Sequence, residues 1–306
     1  MAVAVKNGDL AAARAHVPVM AAEVREILCA RPPQLIVDAT VGTGGHAAAM
    51  LAATDARLLG IDRDDAALAI ASERLADFGS RVILCQADFG DIARVMRENQ
   101  MDSADAILAD LGMSSLALDD PERGFSFKLD GPLDMRMDRR GPLRAYEIVN
   151  EDSEQALADI FHLWGEERAA RRIARAIVES RRRRPIETTG ELRLIVESVL
   201  WSHRRGGVHP ATRTFQALRI AVNHEMESLA ALLADAPAML APGGRMVVIA
   251  YHSLEDRAVK ERMRELARGP GYAAVTRKVV RPSEGEVARN PRSRSARLRC
   301  IERVAQ

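Results

Sequence analysis

Three carboxylates each close a short apolar run in the first third of the chain. Asp62 ends Arg57-Leu-Leu-Gly-Ile-Asp62, Asp88 follows Val82-Ile-Leu-Cys-Gln-Ala87, and Asp110 ends Asp105-Ala-Ile-Leu-Ala-Asp110. Ahead of them stands Val37-Asp-Ala-Thr-Val-Gly42-Thr-Gly44-Gly45-His46, a glycine-rich turn after a fourth apolar run that begins at Leu35. Glycine lacks a Cβ, so the backbone there can approach a ligand closely. A carboxylate about 20 residues beyond such a turn is placed to accept hydrogen bonds from ribose hydroxyls. Asp110-Leu-Gly-Met-Ser-Ser115 adds polar acceptors at the end of the fourth run. Together these residues imply a site for a nucleoside-containing cofactor.

The elements that must position them are short buried strands alternating with helices, from about Leu35 to Leu111. Every polar residue of interest then falls at a strand C-terminus, where open parallel sheets bind their ligands. Gly42-Thr-Gly44-Gly45-His46-Ala47 also fits the dinucleotide pattern G-x-G-x-x-G/A, so the loop by itself admits either NAD or S-adenosyl-L-methionine. It also fits a turn that serves only strand-to-helix packing. Two features favour S-adenosyl-L-methionine. One is the polar turn Asp110–Ser115, where a methylase acting on an amine needs acceptors. The other is the C-terminal third, where MVVIAY, YAAVTRKVV and SARLRCIERV read as three strands, the last two forming an antiparallel pair. A dinucleotide fold continues instead with parallel strands and crossover helices.

Between these halves lie about a hundred residues with helical periodicity. Glu154 to His162, Glu166 to Arg184 and Thr189 to Trp201 carry apolar residues at three- and four-residue spacing, with Pro185 closing the second and Thr188 or Thr189 capping the third. The expected organisation is a methyltransferase domain over 16–114 and 216–306, an inserted helical domain over 115–215 and an N-terminal extension over 1–15. The fold class expected is α/β, a class I Rossmann-like sheet with a helical insert. Hydrophobic residues make up 47% of the 306, enough for a sizeable core. The net charge of +1 hides two basic clusters. One holds Arg168, Arg171, Arg172, Arg175 and Arg181 to Arg184; the other runs from Arg277 to Arg299. Such runs are solvated helix faces or phosphate contacts. The stretch from Arg281 to Arg294, rich in Pro, Ser, Gly and Arg, reads as a loop that orders on a partner. Cys29, Cys85 and Cys300 have neither disulfide nor metal-ligand spacing, and no signal-peptide core or 18-residue apolar run is present. These features point to a cytoplasmic protein with no metal and no membrane partner.

Five longer stretches are more specific. They are His16-Val-Pro-Val-Met20; Arg123-Gly-Phe-Ser-Phe127 with Gly131-Pro-Leu-Asp-Met-Arg-Met-Asp138; His209-Pro-Ala-Thr-Arg-Thr-Phe-Gln-Ala-Leu-Arg219; Tyr251-His-Ser-Leu-Glu-Asp-Arg257; and Asn290-Pro-Arg-Ser-Arg-Ser-Ala-Arg-Leu-Arg299. In order and in register they resemble the bacterial small-subunit ribosomal RNA cytosine-N(4) methyltransferase family over nearly the whole chain. The resemblance implies methylation of a cytidine in the decoding region of 16S rRNA, within a small-subunit particle. It places cofactor contacts on Gly44, Gly45, His46, Asp62, Phe89 and Asp110, and departs from the family at Ala117, where a glutamine is usual. Some of these residues have simpler roles open to them. His46 can cap the following helix, Phe89 can be core, His209 and Pro210 can form the turn into a helix, and Trp164 and Trp201 can be core of the insert. Asp88 suits support of its loop and stays outside the site.

The cytosine amine is a weak nucleophile because its lone pair is delocalised into the ring. Acceptors that bind the amine and fix its geometry help, with no covalent nucleophile required. The candidates are Asp110, Ser114, His252 and Glu255. Arg136, Arg213, Arg292 and Arg294 are the candidate RNA contacts. Two readings from other classes remain, an NAD-dependent oxidoreductase and a noncatalytic RNA-binding ribosome-assembly protein.

Overall fold

The computed structural model describes residues 18–200 and 209–304. The extension 1–15, His16 of the first stretch and Trp201 lie outside them. The chain forms two compact units, one built from the residues up to Ser114 and those from Met226 onward, the other from Ser115–Glu225. The expected return at residue 216 falls inside a helix, Thr212–Asn223, which belongs wholly to the second unit. A helix buries one continuous stripe and is not divided between cores.

The first unit is built on a seven-stranded sheet of order β3-β2-β1-β4-β5-β7-β6. Its strands are β1 (Leu35–Asp38), β2 (Arg57–Asp62), β3 (Val82–Gln86), β4 (Ala104–Asp110), β5 (Leu240–Ala250), β6 (Tyr272–Ala274) and β7 (Arg297–Arg303). The first five are parallel, and β7 runs antiparallel between β5 and β6. This is the class I Rossmann-like methyltransferase arrangement. The inner strands are buried on both faces, which is why they read as continuous apolar runs rather than alternating ones. Val37, Leu59, Ile107 and Val248 meet one core with Ile92, Met96 and Leu232. Their neighbours Ile36, Leu58, Leu108 and Val247 meet another with Val24, Met50 and Leu75.

Two strands differ from expectation. YAAVTRKVV pairs with β7 only over Tyr272–Ala274. Beyond it Val275 and Thr276 both donate to the Cys300 carbonyl, and the Thr276 hydroxyl accepts from Cys300 N at 2.9 Å. Two donors on one carbonyl break the ladder, and pairing resumes only as a bridge between Val280 and Leu298. The third apolar run leaves the sheet at Gln86, ahead of Asp88. The Arg281–Arg294 stretch is folded rather than a loop. It holds a helix, Glu284–Arg289, capped by Ser283, and a 3-10 turn, Pro291–Ser295. Glu286 fastens it by accepting from Met20 N at 2.6 Å.

The second unit is helical, with Ala145–Glu151, Glu154–Leu163, Ala170–Arg181, Thr189–Leu200 and Thr212–Asn223 burying Val149, Phe161, Ile173, Ile177, Val196 and Leu218. The second predicted helix starts at Ala170, not Glu166. Glu166 has φ +48°, and a Cβ at Gly165 would lie 2.6 Å from the Phe161 carbonyl, so the chain turns a tight corner there.

Candidate functional site

Strand order reverses between β1 and β4, and a sheet of this kind opens a crevice at that switch point. The turn after β1 lies at its rim. Gly42 and Gly44 have φ of +51° and +79°. At Gly44 a Cβ would also press on Leu75 and Ala71, so this glycine serves helix packing as well as the turn. Gly45 opens the helix Gly45–Leu51. That helix carries His46 as a buried side chain in its first turn, not as its cap, which is Gly44. His46 Nε2 lies 3.4 Å from Asp110 Oδ2, yet it is off hydrogen-bond alignment and has no partner among the described residues.

The carboxylates are held by main-chain donors. Asp62 accepts from Gly42 N at 2.8 Å and Asp64 N at 2.9 Å, one on each oxygen. Each oxygen keeps a lone pair for a ligand hydroxyl. Burial raises its pKa against those two bonds. Asp110 accepts from Gly112 N at 3.2 Å, and its own N–H donates to Thr40 Oγ1 at 2.7 Å. Asp88 accepts from Gly90 N, Ser228 Oγ and the Arg63 guanidinium, which supports its loop. The same guanidinium lies 5.5 Å from the centroid of the Phe89 ring, and Phe89 is half-buried.

The sequence reading passed over Asp38. It ends β1 as Asp62 ends β2, and the same pattern of an acid closing an apolar strand marks both. Asp38 is 1% exposed; Thr40 N donates to Oδ1 at 3.2 Å, and Oδ2 has no partner among the described residues. Burial pushes its pKa up to about 7, opposed by His46 and the Thr40 N–H and reinforced by Asp110 and Asp62. Asp62, Asp38 and Asp110 thus end the three adjacent strands β2, β1 and β4, with His46 beside Asp110. Such a cluster is suited to a cation.

After β5, Tyr251, His252 and Glu255 open the helix Ser253–Leu266. His252 is its N-cap and accepts from Glu255 N at 3.4 Å, while Glu255 Oε2 accepts from Tyr251 N at 2.7 Å and His252 N at 3.2 Å. This is a reciprocal capping box. Glu255, 3% exposed, is therefore occupied by the helix start, which accounts for its presence without chemistry. His252 Nε2 lies 3.0 Å from Glu255 Oε1 but off hydrogen-bond alignment, without a partner among the described residues. Ser114 Oγ is buried and likewise has none. The Tyr251 ring lies against Gly112, and burial with the charge of Asp110 nearby holds its phenol pKa well above the ordinary value.

The candidate RNA contacts divide. Arg136 is held internally: it pairs with Asp134 through two nitrogens at 2.9 and 2.7 Å and donates to the carbonyls of Arg139 and Gly141. It belongs to the loop's own scaffold. Arg123 is buried in that scaffold too, donating to the Arg136 and Met137 carbonyls. Arg213 is exposed and donates to the Glu166 carbonyl at 3.1 Å. Arg292 and Arg294 are exposed on either side of the fully buried Ser293. In the run Arg181–Arg184, Arg181 donates to the carbonyls of Val149 and Asp152, and Arg184 pairs with Glu191. Arg182 and Arg183 are exposed.

Residues 13–304 match the MraW methylase family. The chain belongs to that family. Ribosomal RNA small subunit methyltransferase H of Symbiobacterium thermophilum is 47% identical over 307 residues, covering 94% of this chain and 96% of that protein. The proteins of the same name from Syntrophotalea carbinolica and Methylobacterium sp. are 48% and 47% identical, with 94% of this chain covered in each case and 98% and 91% of theirs.

In this MraW methylase several motif residues are explained by folding alone. His209 stacks on Phe127 with centroids 4.5 Å apart, pairs with Glu197 at 2.9 Å and accepts from Ala211 N at the start of Thr212–Asn223. Cβ atoms at Gly124 and Gly131 would fall about 2 Å from the carbonyls of Pro132 and Pro121, 2.1 and 2.0 Å respectively. Ala117 is 3% exposed in the short helix Ser115–Asp119. Among the described residues no helix is long and apolar enough to cross a membrane.

Proposed function

We propose that this MraW-family methylase transfers a methyl group from S-adenosyl-L-methionine to the N(4) amine of a cytidine in the decoding region of 16S rRNA. The observation that carries the reading is the row of Asp62, Asp38 and Asp110 at the C-terminal ends of the adjacent strands β2, β1 and β4, with a buried Asp38 oxygen lacking a hydrogen-bond partner among the described residues. A cationic cofactor satisfies that oxygen, and a dinucleotide pyrophosphate would be repelled by it. The cofactor supplies the electrophilic methyl on a sulfonium. Gly44, Gly45 and His46 flank its amino-acid end, Asp62 accepts its ribose hydroxyls, and Phe89 packs on its base. Asp110 and Ser114 stand at the end of β4, where acceptors bind the cytosine amine and fix its lone pair toward the methyl. His252, whose Nε2 lies beside Glu255 without a hydrogen bond among the described residues, is the further candidate there. The names of the curated relatives support ribosomal RNA of the small subunit as the substrate. Exposed arginines, among them Arg213, Arg292 and Arg294, supply phosphate contacts.

The test is methyl transfer from labelled cofactor to small-subunit particles and to free 16S rRNA from a strain lacking the enzyme, with mass mapping of the product. One methyl on one cytidine amine is expected. A methyl on ribose or on a ring carbon, or no transfer alongside tight NADH binding, would overturn the reading.

A further inference from the structure

Ser283-Glu-Gly-Glu286 has the spacing of a capping box, in which a serine caps the helix and the acid three residues on reaches back to the serine amide. Only half of that box forms. Ser283 Oγ accepts from Glu286 N at 3.1 Å at the start of the helix Glu284–Arg289. The Glu286 carboxylate turns away and accepts from Met20 N at 2.6 Å, 266 residues back in the chain. Helix initiation therefore does not account for this carboxylate.

Its partner stands in a costly conformation. Met20 has φ +54°, the left-handed region that a side chain of this size avoids. Such a residue persists only where its surroundings over-determine it. Here the N–H is held by Glu286, the carbonyl accepts from Val24 N at 2.9 Å, and the side chain is fully buried. Just before this bend, Pro18 lies on the glycine turn. A Cβ at Gly45 would stand 3.4 Å from both Cβ and Cδ of Pro18, and 3.2 Å from Arg74 Nη1. Gly45 opens a helix and has no positive φ, so its backbone does not require glycine. The space a side chain would need is taken by Pro18 and Arg74.

We infer that Glu286 is a positioning residue for the cofactor turn: by pinning Met20 N it holds Pro18 against Gly45. Three glycines among the four residues Gly42–Gly45 leave that turn conformationally free. Bracing one side of it before the ligand arrives lowers the ordering cost of binding. The brace comes from the far end of the chain, so the C-terminal segment acts on the turn without touching the cofactor. The inference rests on the reading of Gly44 to His46 as flanking the amino-acid end of S-adenosyl-L-methionine.

The experiment uses the full chain and reads calorimetric affinity for S-adenosyl-L-methionine beside the single-turnover rate on small-subunit particles at saturating cofactor. Glu286→Ala is expected to weaken affinity roughly 3- to 10-fold, within the net contribution of one hydrogen bond, and to leave the saturated rate at wild type. Glu286→Gln keeps an oxygen that accepts from Met20 N and should restore the affinity. Pro18→Gly should weaken binding to a similar degree, and adding Glu286→Ala to it should change little, because both act through one segment. Wild-type affinity in Glu286→Ala overturns the inference and leaves the carboxylate as a structural tie. Additive losses in the double variant overturn it as well. Where Glu286→Ala does not fold, Pro18→Gly decides alone, since it leaves the Glu286 bond in place; wild-type affinity there is equally fatal. Asp62→Ala separates the two readings. If it binds weakly while Glu286→Ala binds normally, only the inference falls; if it also binds normally, the cofactor reading of the crevice falls and takes the inference with it.

Discussion

Asp38 is the residue whose ionisation the site controls most directly. Its folded pKa of about 7 lies above the ordinary carboxylate value of 3.8. The raised value means the folded protein holds a proton that the unfolded chain releases. The resulting stability is complete below pH 4 and is lost as pH rises through 7. Asp38→Asn removes that loss. Its melting temperature should exceed wild type by several degrees at pH 8, with the difference shrinking toward pH 5, as thermal unfolding across pH would show. Cofactor affinity runs the other way. A cation favours the ionised carboxylate, so binding to wild type should strengthen from pH 6 to pH 8, and Asp38→Asn should abolish that dependence in calorimetry. Asp62 makes a second test at this scale. With each oxygen already bonded to one N–H, its free lone pairs are what a ribose would use. Asp62→Ala should cost about 1.5–3 kcal/mol of cofactor affinity, the range for a hydrogen bond to a charged group. Unchanged affinity would remove it from the site.

The helix Ser253–Leu266 joins folding and chemistry in a single turn. Its capping box uses both His252 and Glu255, so an alanine at either position confounds two roles. Losing such a cap costs about 0.5–2 kcal/mol. Replacements that keep the cap separate the roles. Glu255→Gln can still accept from the Tyr251 and His252 amides, and should leave both denaturant stability and transfer rate close to wild type. His252→Asn is also a good N-cap and should hold stability. If the imidazole positions the base, its single-turnover rate on small-subunit particles falls roughly 10²-fold, the low end for a general acid–base or orienting group. A wild-type rate in His252→Asn would confine this residue to capping.

Across the whole molecule the arginines sort by what they touch. Arg181 ties the end of its helix to the carbonyls of Val149 and Asp152, and Arg136 holds the loop around Asp134. Alanine at either position should lower the denaturation midpoint. Arg182 and Arg183 are exposed, and alanine there should leave the midpoint unchanged. If they meet phosphates, the salt dependence of RNA affinity flattens by roughly 0.7–0.9 slope units per lost contact. An unchanged slope would leave them as solvated helix faces. The net charge of +1 gives no hint of this division.

The sequence by itself determined the parallel half of the sheet, the position of the glycine turn, the helical insert and the candidate acids at strand ends. The reason is local: buried strands read as apolar runs, and a polar residue that ends one stands at the sheet's edge wherever the strand is placed. Asp38 was legible by that same rule, since the apolar run Leu35-Ile-Val37 ends on it. What the tertiary structure decided depends on contacts between residues far apart in the chain. No spacing reveals that the Tyr251 ring lies against Gly112, or that His46 meets Asp110; these meetings are set by sheet order. Nor does composition separate Arg136 and Arg181 from Arg182 and Arg183. An arginine's role follows from which carbonyls and carboxylates lie within reach of its guanidinium, and only the folded chain brings those together.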